Sequence, residues 1–343
     1  MRLGVEAALV NGRIVQGDLE IAEERVARHG LRSRNRRGIA VPGFVDLQVN
    51  GFAGVDFLEA DDEGYRSAGA ALLETGVTSY LPTFITAPEE QLVAALRRMP
   101  KATGSARILG AHLEGPFLSP ARLGAHSASD RRDPDPSLLD RLLGAGPVRL
   151  MTLAPELPGA PDLIRILHER GVTVSFGHSD ATAEEANAAF DLGVHTVTHL
   201  FNAMRPFHHR DPGITGTALA RDDVIVQVIL DGVHLTPETA ALVWRATRGR
   251  MALVTDFTTA PDGRTADGVL AGSTSTMIEA IRNLHAFGAS FEEAVLAATE
   301  IPARVIADQT AGRLDVGLPA DVVVLNDELE IERVLLDGED RLS

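Results

Sequence analysis

The sequence contains no cysteine. Disulfide scaffolds, thiolate zinc sites, iron–sulfur clusters and cysteine nucleophiles are excluded with it. Lysine is nearly absent too: Lys101 stands alone, and the other 31 of the 32 basic residues are arginines. Schiff-base chemistry, or a lysine bridging two metals, rests on Lys101, which sits in a loop-like stretch ahead of a strand. No uncharged apolar run approaches the ~18 residues of a membrane span. The start, Met1-Arg2-Leu3-Gly4-Val5-Glu6, puts a carboxylate where a signal peptide needs an apolar stretch, so a cytoplasmic protein is expected. Positive charge is also in deficit, 32 Lys+Arg against 48 Asp+Glu for a net charge of −16, and no basic face is apparent. Nucleic acid and anionic membranes are therefore excluded as expected partners. A small anionic substrate is compatible, because one local arginine suffices for it.

The chain is otherwise that of an ordinary soluble protein. Its 343 residues are 45% hydrophobic and 23% charged, enough for a large core. Short β-rich runs recur at Phe44–Val49, Val77–Leu81, Ile108–Leu113, Val148–Leu153, Val172–Phe176, Val194–Leu200, Val224–Leu230 and Met251–Thr255. Between most of them lie stretches of helical spacing, such as Glu89–Arg98 and Pro161–Arg170, and several end in glycine. Eight strands alternating with helices predict an α/β fold, a parallel (β/α)8 barrel of the TIM type. The ends do not fit it. Ala7–Val10 and Arg13–Val15, then Arg313–Gly317, Asp321–Leu325 and Ile331–Leu336, read as strands of one small β-layer. The expected division is a small β-sandwich-like domain of residues 1–40 and 313–343, joined by an Arg-rich link at 32–37 to a hydrolase barrel of residues 41–312.

In such a barrel the active site lies at the C-terminal ends of the strands. Those ends offer Gln48 and Asn50, Thr83, Glu114, Glu156, His178, His199, Asp231 with His234, and Asp256. A single rim histidine is most often a satisfied polar group. Glu114, His178 and His199 fall on the third, fifth and sixth strands, and two imidazoles with one carboxylate suit Zn2+ or Fe2+ with a position left for water. Asp256, ending the eighth strand, is placed to act as general base and then acid. His234 could polarise a carbonyl or hold a substrate hydroxyl. After the sixth strand, backbone N–H groups near Asn202 and Ala203, with an arginine of the segment Arg205–Arg210, make a candidate phosphate clamp.

These residues resemble the amidohydrolase superfamily, and within it the N-acetylglucosamine-6-phosphate deacetylase family. The resemblance rests on Pro42-Gly43-Phe44-Val45-Asp46-Leu47-Gln48-Val49-Asn50-Gly51, His112-Leu113-Glu114-Gly115-Pro116-Phe117, Gly177-His178-Ser179, Thr198-His199-Leu200-Phe201-Asn202-Ala203-Met204, Asp231-Gly232-Val233-His234 and Val254-Thr255-Asp256. It implies Glu114, His178 and His199 as metal ligands and Asp256 as general base and acid. It places His234 near the acetamido carbonyl and His126 on a sugar hydroxyl. Asn202, Ala203 and Arg210 would hold the 6-phosphate, the arginine across a homodimer interface. Gln48-Val49-Asn50 stands where many amidohydrolases carry His-x-His, so one divalent metal per chain, Zn or Fe, is expected. The segment Phe257–Val269 is shorter than the family's, which bears on substrate range. The implied reaction is metal-assisted hydrolysis of N-acetylglucosamine 6-phosphate to acetate and the amino-sugar phosphate. The rivals are a deacylase of another N-acyl amine, such as N-acetylgalactosamine 6-phosphate, and a sugar-phosphate-binding protein without catalysis.

Overall fold

The computed structural model describes residues 1–32 and 37–342, so most of the Arg-rich link lies outside the described residues. Eight parallel strands form a nearly closed barrel: β1 (Phe44–Val49), β2 (Val77–Ile85), β3 (Ala111–Glu114), β4 (Val148–Leu153), β5 (Thr173–Phe176), β6 (Thr196–Val197), β7 (Ile225–Val228) and β8 (Met251–Leu253). Each pairs with its successor in parallel from β1 to β8. The fold is the expected (β/α)8 barrel with separate sheets built from the termini.

The helices cover the barrel because their apolar residues recur every three or four positions. In Ala160–Glu169 the buried set is Ala160, Leu163, Ile164 and Leu167. Starts are set by side-chain caps: Asp135 accepts from the backbone of Ser137 and Leu138 ahead of Pro136, and Thr182 forms a capping box with Glu185.

The seam between β1 and β8 is closed mainly by side chain and loop rather than by a strand ladder. Asp46 Oδ2 accepts from Thr255 Oγ1 at 2.6 Å, and its Oδ1 accepts from the backbone N–H of Thr255 and Gln48, each at 3.2 Å. Further up, the Asn50 N–H donates to Phe257 O at 2.8 Å. At the base, the carbonyls of Ala297 and Ala298 accept from Leu253 and Val45.

The barrel interior holds a polar layer. The His112 imidazole lies fully buried between Leu47 O, 3.1 Å from Nδ1, and Thr152 Oγ1, 2.7 Å from Nε2. A carbonyl only accepts, so Nδ1 carries the proton and Nε2 accepts from Thr152. That choice propagates. Thr152 must then accept from Thr198 Oγ1 (2.7 Å), Thr198 from Ser175 Oγ (2.6 Å), and Ser175 from Gln227 Nε2 (3.3 Å). One directed chain of hydrogen bonds thus crosses the lumen beneath the strand ends. Burial above all holds His112 near a pKa of about 4, and so neutral.

Ala7–Val10, Arg13–Gln16, Ile39–Pro42, Val322–Leu325, Ile331–Leu336 and Glu339–Asp340 form one six-stranded sheet. Its residues alternate between two cores. Ala8, Val10, Ala40, Val322, Val324 and Leu335 face a small core closed by a hairpin, Asp18–Ala22 with Arg25–Leu31; Leu9, Val41, Val323, Leu325, Val334 and Leu336 join the barrel's outer core. That hairpin is not among the expected strands. Arg313–Gly317 is not a strand: Leu314 plugs the small core while Arg313 pairs with Asp315. Ile39–Pro42 belongs to the small sheet, so the chain crosses into the barrel at Gly43, where a Cβ would come within 2.1 Å of Thr78 Oγ1.

Candidate metal centre and active-site cavity

The strand ends converge on a cavity of about 690 Å3, within the usual range for small-molecule sites. His178, His199, Phe201, Ala203 and Asp256 all have left-handed backbone, with φ of 48°, 28°, 78°, 49° and 50°. Such conformations cost of order 1–3 kcal/mol each for residues with a side chain, and the surrounding structure must hold them. They turn the chain sharply off the barrel, so that side chains at successive strand ends face one point.

Glu114, His178 and His199 meet there. Glu114 Oε1 lies 3.1 Å from His178 Nε2 and 2.8 Å from His199 Nε2, and the two ring nitrogens are 3.2 Å apart. All three are buried. The His178 proton is on Nδ1, which donates to Arg122 O at 2.9 Å, so its Nε2 lone pair faces the cluster. Among the described residues, His199 Nδ1 has no hydrogen-bond partner. Burial raises the Glu114 carboxyl, but the imidazoles of His126, His178 and His199 packed around it prevail and hold it well below the usual range. A buried carboxylate with two imidazole nitrogens turned toward its oxygen is a donor set suited to a divalent transition metal. The residues present fit such an ion.

Asp256 lines the same cavity and is buried, with Asn50 Nδ2 donating to its Oδ1 at 2.8 Å. Burial, then the charge of Glu114, pushes its carboxyl up to about 8, against the opposing pull of His199 and Asn50. Gln48, from β1, donates from Nε2 to Glu114 Oε1 at 3.2 Å. His126 stacks edge-on to His178, with its Nε2 3.5 Å from Glu114 Oε2. Its Nδ1 accepts the Thr86 N–H at 3.2 Å, which leaves the ring proton on Nε2.

The cavity brings together seven of the nine residues given a role, Glu114, His126, His178, His199, Asn202, Ala203 and Asp256, with Asn50 and Thr83 from the other strand ends. Asn202 differs from expectation in one respect: its backbone N–H closes a turn on His199 O at 3.0 Å and is spent there. Two candidates stand outside the lining. His234 is held by Asp231, with Nδ1 2.8 Å from Oδ2 and the His234 N–H 2.9 Å from Oδ1. Although burial opposes it, these contacts bring Asp231 down to about 2. Arg210 is exposed and stacked on its own loop, 3.1 Å from His209 Nε2. Glu156 also serves elsewhere, accepting from Ser179 Oγ and the Asp180 N–H behind His178. The sequence reading missed Asp56, Thr258, Thr259, Arg264, Thr265 and Leu270, which line one side of the cavity. Most belong to the short segment after Asp256, whose sequence has no periodic pattern to place it.

The model of the amidohydrolase family matches residues 39–340. Human N-acetylglucosamine-6-phosphate deacetylase is 37% identical over 96% of this chain and 89% of its own length. N-acetylgalactosamine-6-phosphate deacetylase of Escherichia coli O157:H7 is 34% identical over 87% of this chain and 86% of its own. Among solved structures, a single-residue variant of the Mycobacterium smegmatis N-acetyl-D-glucosamine-6-phosphate deacetylase, in complex with N-acetyl-D-glucosamine-6-phosphate, superposes with a TM-score of 0.92. It is 33% identical, covering 99% of this chain and 98% of that one.

Proposed function

The chain belongs to the amidohydrolase family, and from that premise we propose that it hydrolyses N-acetylglucosamine 6-phosphate to acetate and glucosamine 6-phosphate. The observation that carries this reading is a single cavity in which Glu114, His178 and His199 face one point beside the buried carboxyl of Asp256.

Those three residues would hold one Zn2+ or Fe2+ per chain. When bound, a divalent cation supplies Lewis acidity there, lowering the pKa of a coordinated water and holding neighbouring carboxyls ionised. Gln48 and Asn50 offer only amides, which are weak ligands for a second transition metal. Asp256, oriented by Asn50, takes the proton from the attacking water as its oxygen bonds to the acetyl carbon. It then delivers that proton to the amine nitrogen as the C–N bond breaks. The His126 Nε2–H is positioned to bind a sugar hydroxyl. His234, held at Nδ1 by Asp231, is the residue assigned to the acetyl group. Asn202, whose N–H holds a turn on His199 O, sets the backbone at Ala203, which positions the phosphate.

The proposal includes a cytoplasmic homodimer. Arg210 stands outside its own chain's cavity, so a phosphate contact from it requires a second copy. Phe207, 55% exposed on the same loop, gives that copy an apolar surface. Light scattering giving a dimer mass supports this part; a monomer at assay concentration removes it.

The test is acetate release from N-acetylglucosamine 6-phosphate with metal quantified in the same sample. Turnover with about one metal per chain supports the assignment. Sugar-phosphate binding without turnover in the metal-loaded protein supports a non-catalytic binder. A second reading, preference for N-acetylgalactosamine 6-phosphate, is raised by the 34% identity to a deacetylase named for that sugar and is decided by comparing kcat/KM for the two sugars.

A further inference from the structure

Glu156 stands just past the end of β4, at the barrel rim, yet it does not line the cavity. Its carboxylate is turned instead to the chain behind His178. Oε2 accepts from Ser179 Oγ at 2.8 Å, and Oε1 accepts from the Asp180 N–H at 2.6 Å. Both donors belong to the two residues that follow His178. Ser179 is fully buried, and its Oγ in turn accepts the Ala181 N–H at 3.1 Å.

His178 needs such support. Its backbone is left-handed, at a φ of 48°, a strained conformation that the surroundings must impose. Three backbone contacts converge on the same turn. The Ser119 N–H donates to His178 O at 2.9 Å, the His178 Nδ1–H to Arg122 O at 2.9 Å, and the Arg205 N–H to Ser179 O at 2.8 Å. The loops after β3, β4 and β6 thus grip the end of β5. Asp180 adds ion pairs to Arg122 at 2.7 Å and Arg205 at 3.3 Å, but all three side chains are partly exposed, which weakens such pairs. The bonds to Glu156 hold the turn from beneath. Of the two rings turned toward Glu114, that of His178 alone is fixed through its far nitrogen among the described residues. The donor set therefore depends on how firmly this one ring is placed.

Resting on the metal centre assigned above, we propose that Glu156 is a positioning residue for His178 and, through it, sets the affinity of the chain for its divalent ion. Lying outside the cavity lining, it acts by holding Ser179 and Asp180, so that the His178 ring is already in place when the ion arrives. A ligand placed beforehand loses little further freedom on binding.

The experiment measures the Zn2+ dissociation constant of the full chain, stripped of metal, by competition with a chromophoric chelator. Wild type is compared with Glu156→Ala, Glu156→Gln, Ser179→Ala and Glu114→Gln, and no substrate is needed. Glu156→Ala is expected to weaken Zn2+ binding about 10- to 100-fold, the usual cost of removing a partner behind a ligand. Glu156→Gln should stay within about fivefold of wild type, because its amide oxygen accepts from the Asp180 N–H and its amide N–H donates to Ser179 Oγ. Ser179→Ala removes one of the two bonds and should fall between. In a His178→Ala background, Glu156→Ala should change the constant less than about twofold, since the residue it acts through is gone. A lower melting temperature of the metal-free protein with an unchanged Zn2+ constant would show that Glu156 only stabilises the rim, and overturns the proposal. So does a loss of full size that persists in the His178→Ala background. If Glu156→Ala does not fold, Ser179→Ala decides: a loss that vanishes in the His178→Ala background supports the proposal, and an unchanged constant overturns it. Zn2+ bound by Glu114→Gln as tightly as by wild type defeats the metal assignment and this proposal with it. A loss in Glu114→Gln beside an unchanged Glu156→Ala defeats this proposal alone. Absence of acetate release in wild type would end the deacetylase reading and leave the Zn2+ result standing.

Discussion

Asn50 Nδ2 lies 2.8 Å from Asp256 Oδ1, joining the end of β1 to the end of β8. An amide N–H can only donate, so this bond claims Oδ1 and leaves Oδ2 as the oxygen that exchanges a proton. Asp256→Asn keeps the shape of the site and removes the base. We expect turnover to fall by roughly 10²- to 10⁴-fold, the usual reach of general acid–base catalysis, with metal content unchanged. Acetate release and elemental analysis of one preparation check both halves. Wild-type turnover in the variant would take the base role from Asp256.

Removing the metal should act on stability as well as activity. With no cation, Glu114 and two imidazoles are packed against one another, and His199 Nδ1 has no partner among the described residues. Any ion that binds the folded state and not the unfolded one adds stability by mass action, about 2.7 kcal/mol at a hundredfold excess over Kd. Chelator-treated protein is expected to melt several degrees lower and to recover on adding Zn2+. In Glu114→Gln, added Zn2+ should no longer raise Tm. A Zn2+ shift of undiminished size in that variant would place the ion elsewhere.

Asp46 gives a pH dependence of defined sign. Burial outweighs its three hydrogen bonds and raises its carboxyl from 3.8 to about 6. The unfolded chain therefore releases this proton first. Below about pH 4 the group is protonated in both states. Between about 4 and 6 rising pH favours unfolding, and above that the loss is constant. Asp46→Asn retains an acceptor for the N–H groups of Gln48 and Thr255 and does not titrate. Wild type should lose on the order of 3 kcal/mol relative to this variant between pH 4 and 6. Denaturant unfolding of both proteins at several pH values measures the gap; a gap independent of pH would mean that Asp46 titrates normally.

The directed chain through the lumen predicts an asymmetry between two substitutions at one site. Thr152→Val leaves His112 Nε2 without its donor and the Thr198 hydroxyl without its acceptor, at a combined cost of about 2–5 kcal/mol. Thr152→Ser keeps both bonds and should cost under about 1.5 kcal/mol, chiefly for the lost methyl. Equal costs, read by urea unfolding, would mean that packing rather than hydrogen bonding sets the stability of this layer.

Much of the barrel is legible in the sequence because its strands are short β-branched runs that end on polar residues. Phe44–Val49 and Val148–Leu153 keep their expected limits, while Val194–Leu200 contracts to Thr196–Val197, since the chain already bends at Thr198 to aim His199. The hairpin Asp18–Ala22 with Arg25–Leu31 escaped notice because its second strand, Arg-Val-Ala-Arg-His-Gly-Leu, buries only Val26. At the site, residues whose role follows from standing at a strand end could be picked out, as with Glu114, His178, His199 and Asp256. Asp46 and His112 were not, since they lie inside apolar runs and act through the lumen. Arg264 was not, since only the tertiary fold brings its loop over the cavity.

The arrangement of the small sheet has a consequence for the order of events at the ribosome. Ile39–Pro42 has Ala7–Val10 on one side and Val322–Leu325 on the other. Chains emerge N-terminus first, and domains generally fold as units. For nearly the whole of synthesis the leading strands therefore hold an open edge, and their small core lacks Leu314, Val322, Val324 and Leu335. The strands of this sheet made earlier thus wait for those made last, and their edge stays open for pairing until Val322–Leu325 arrives.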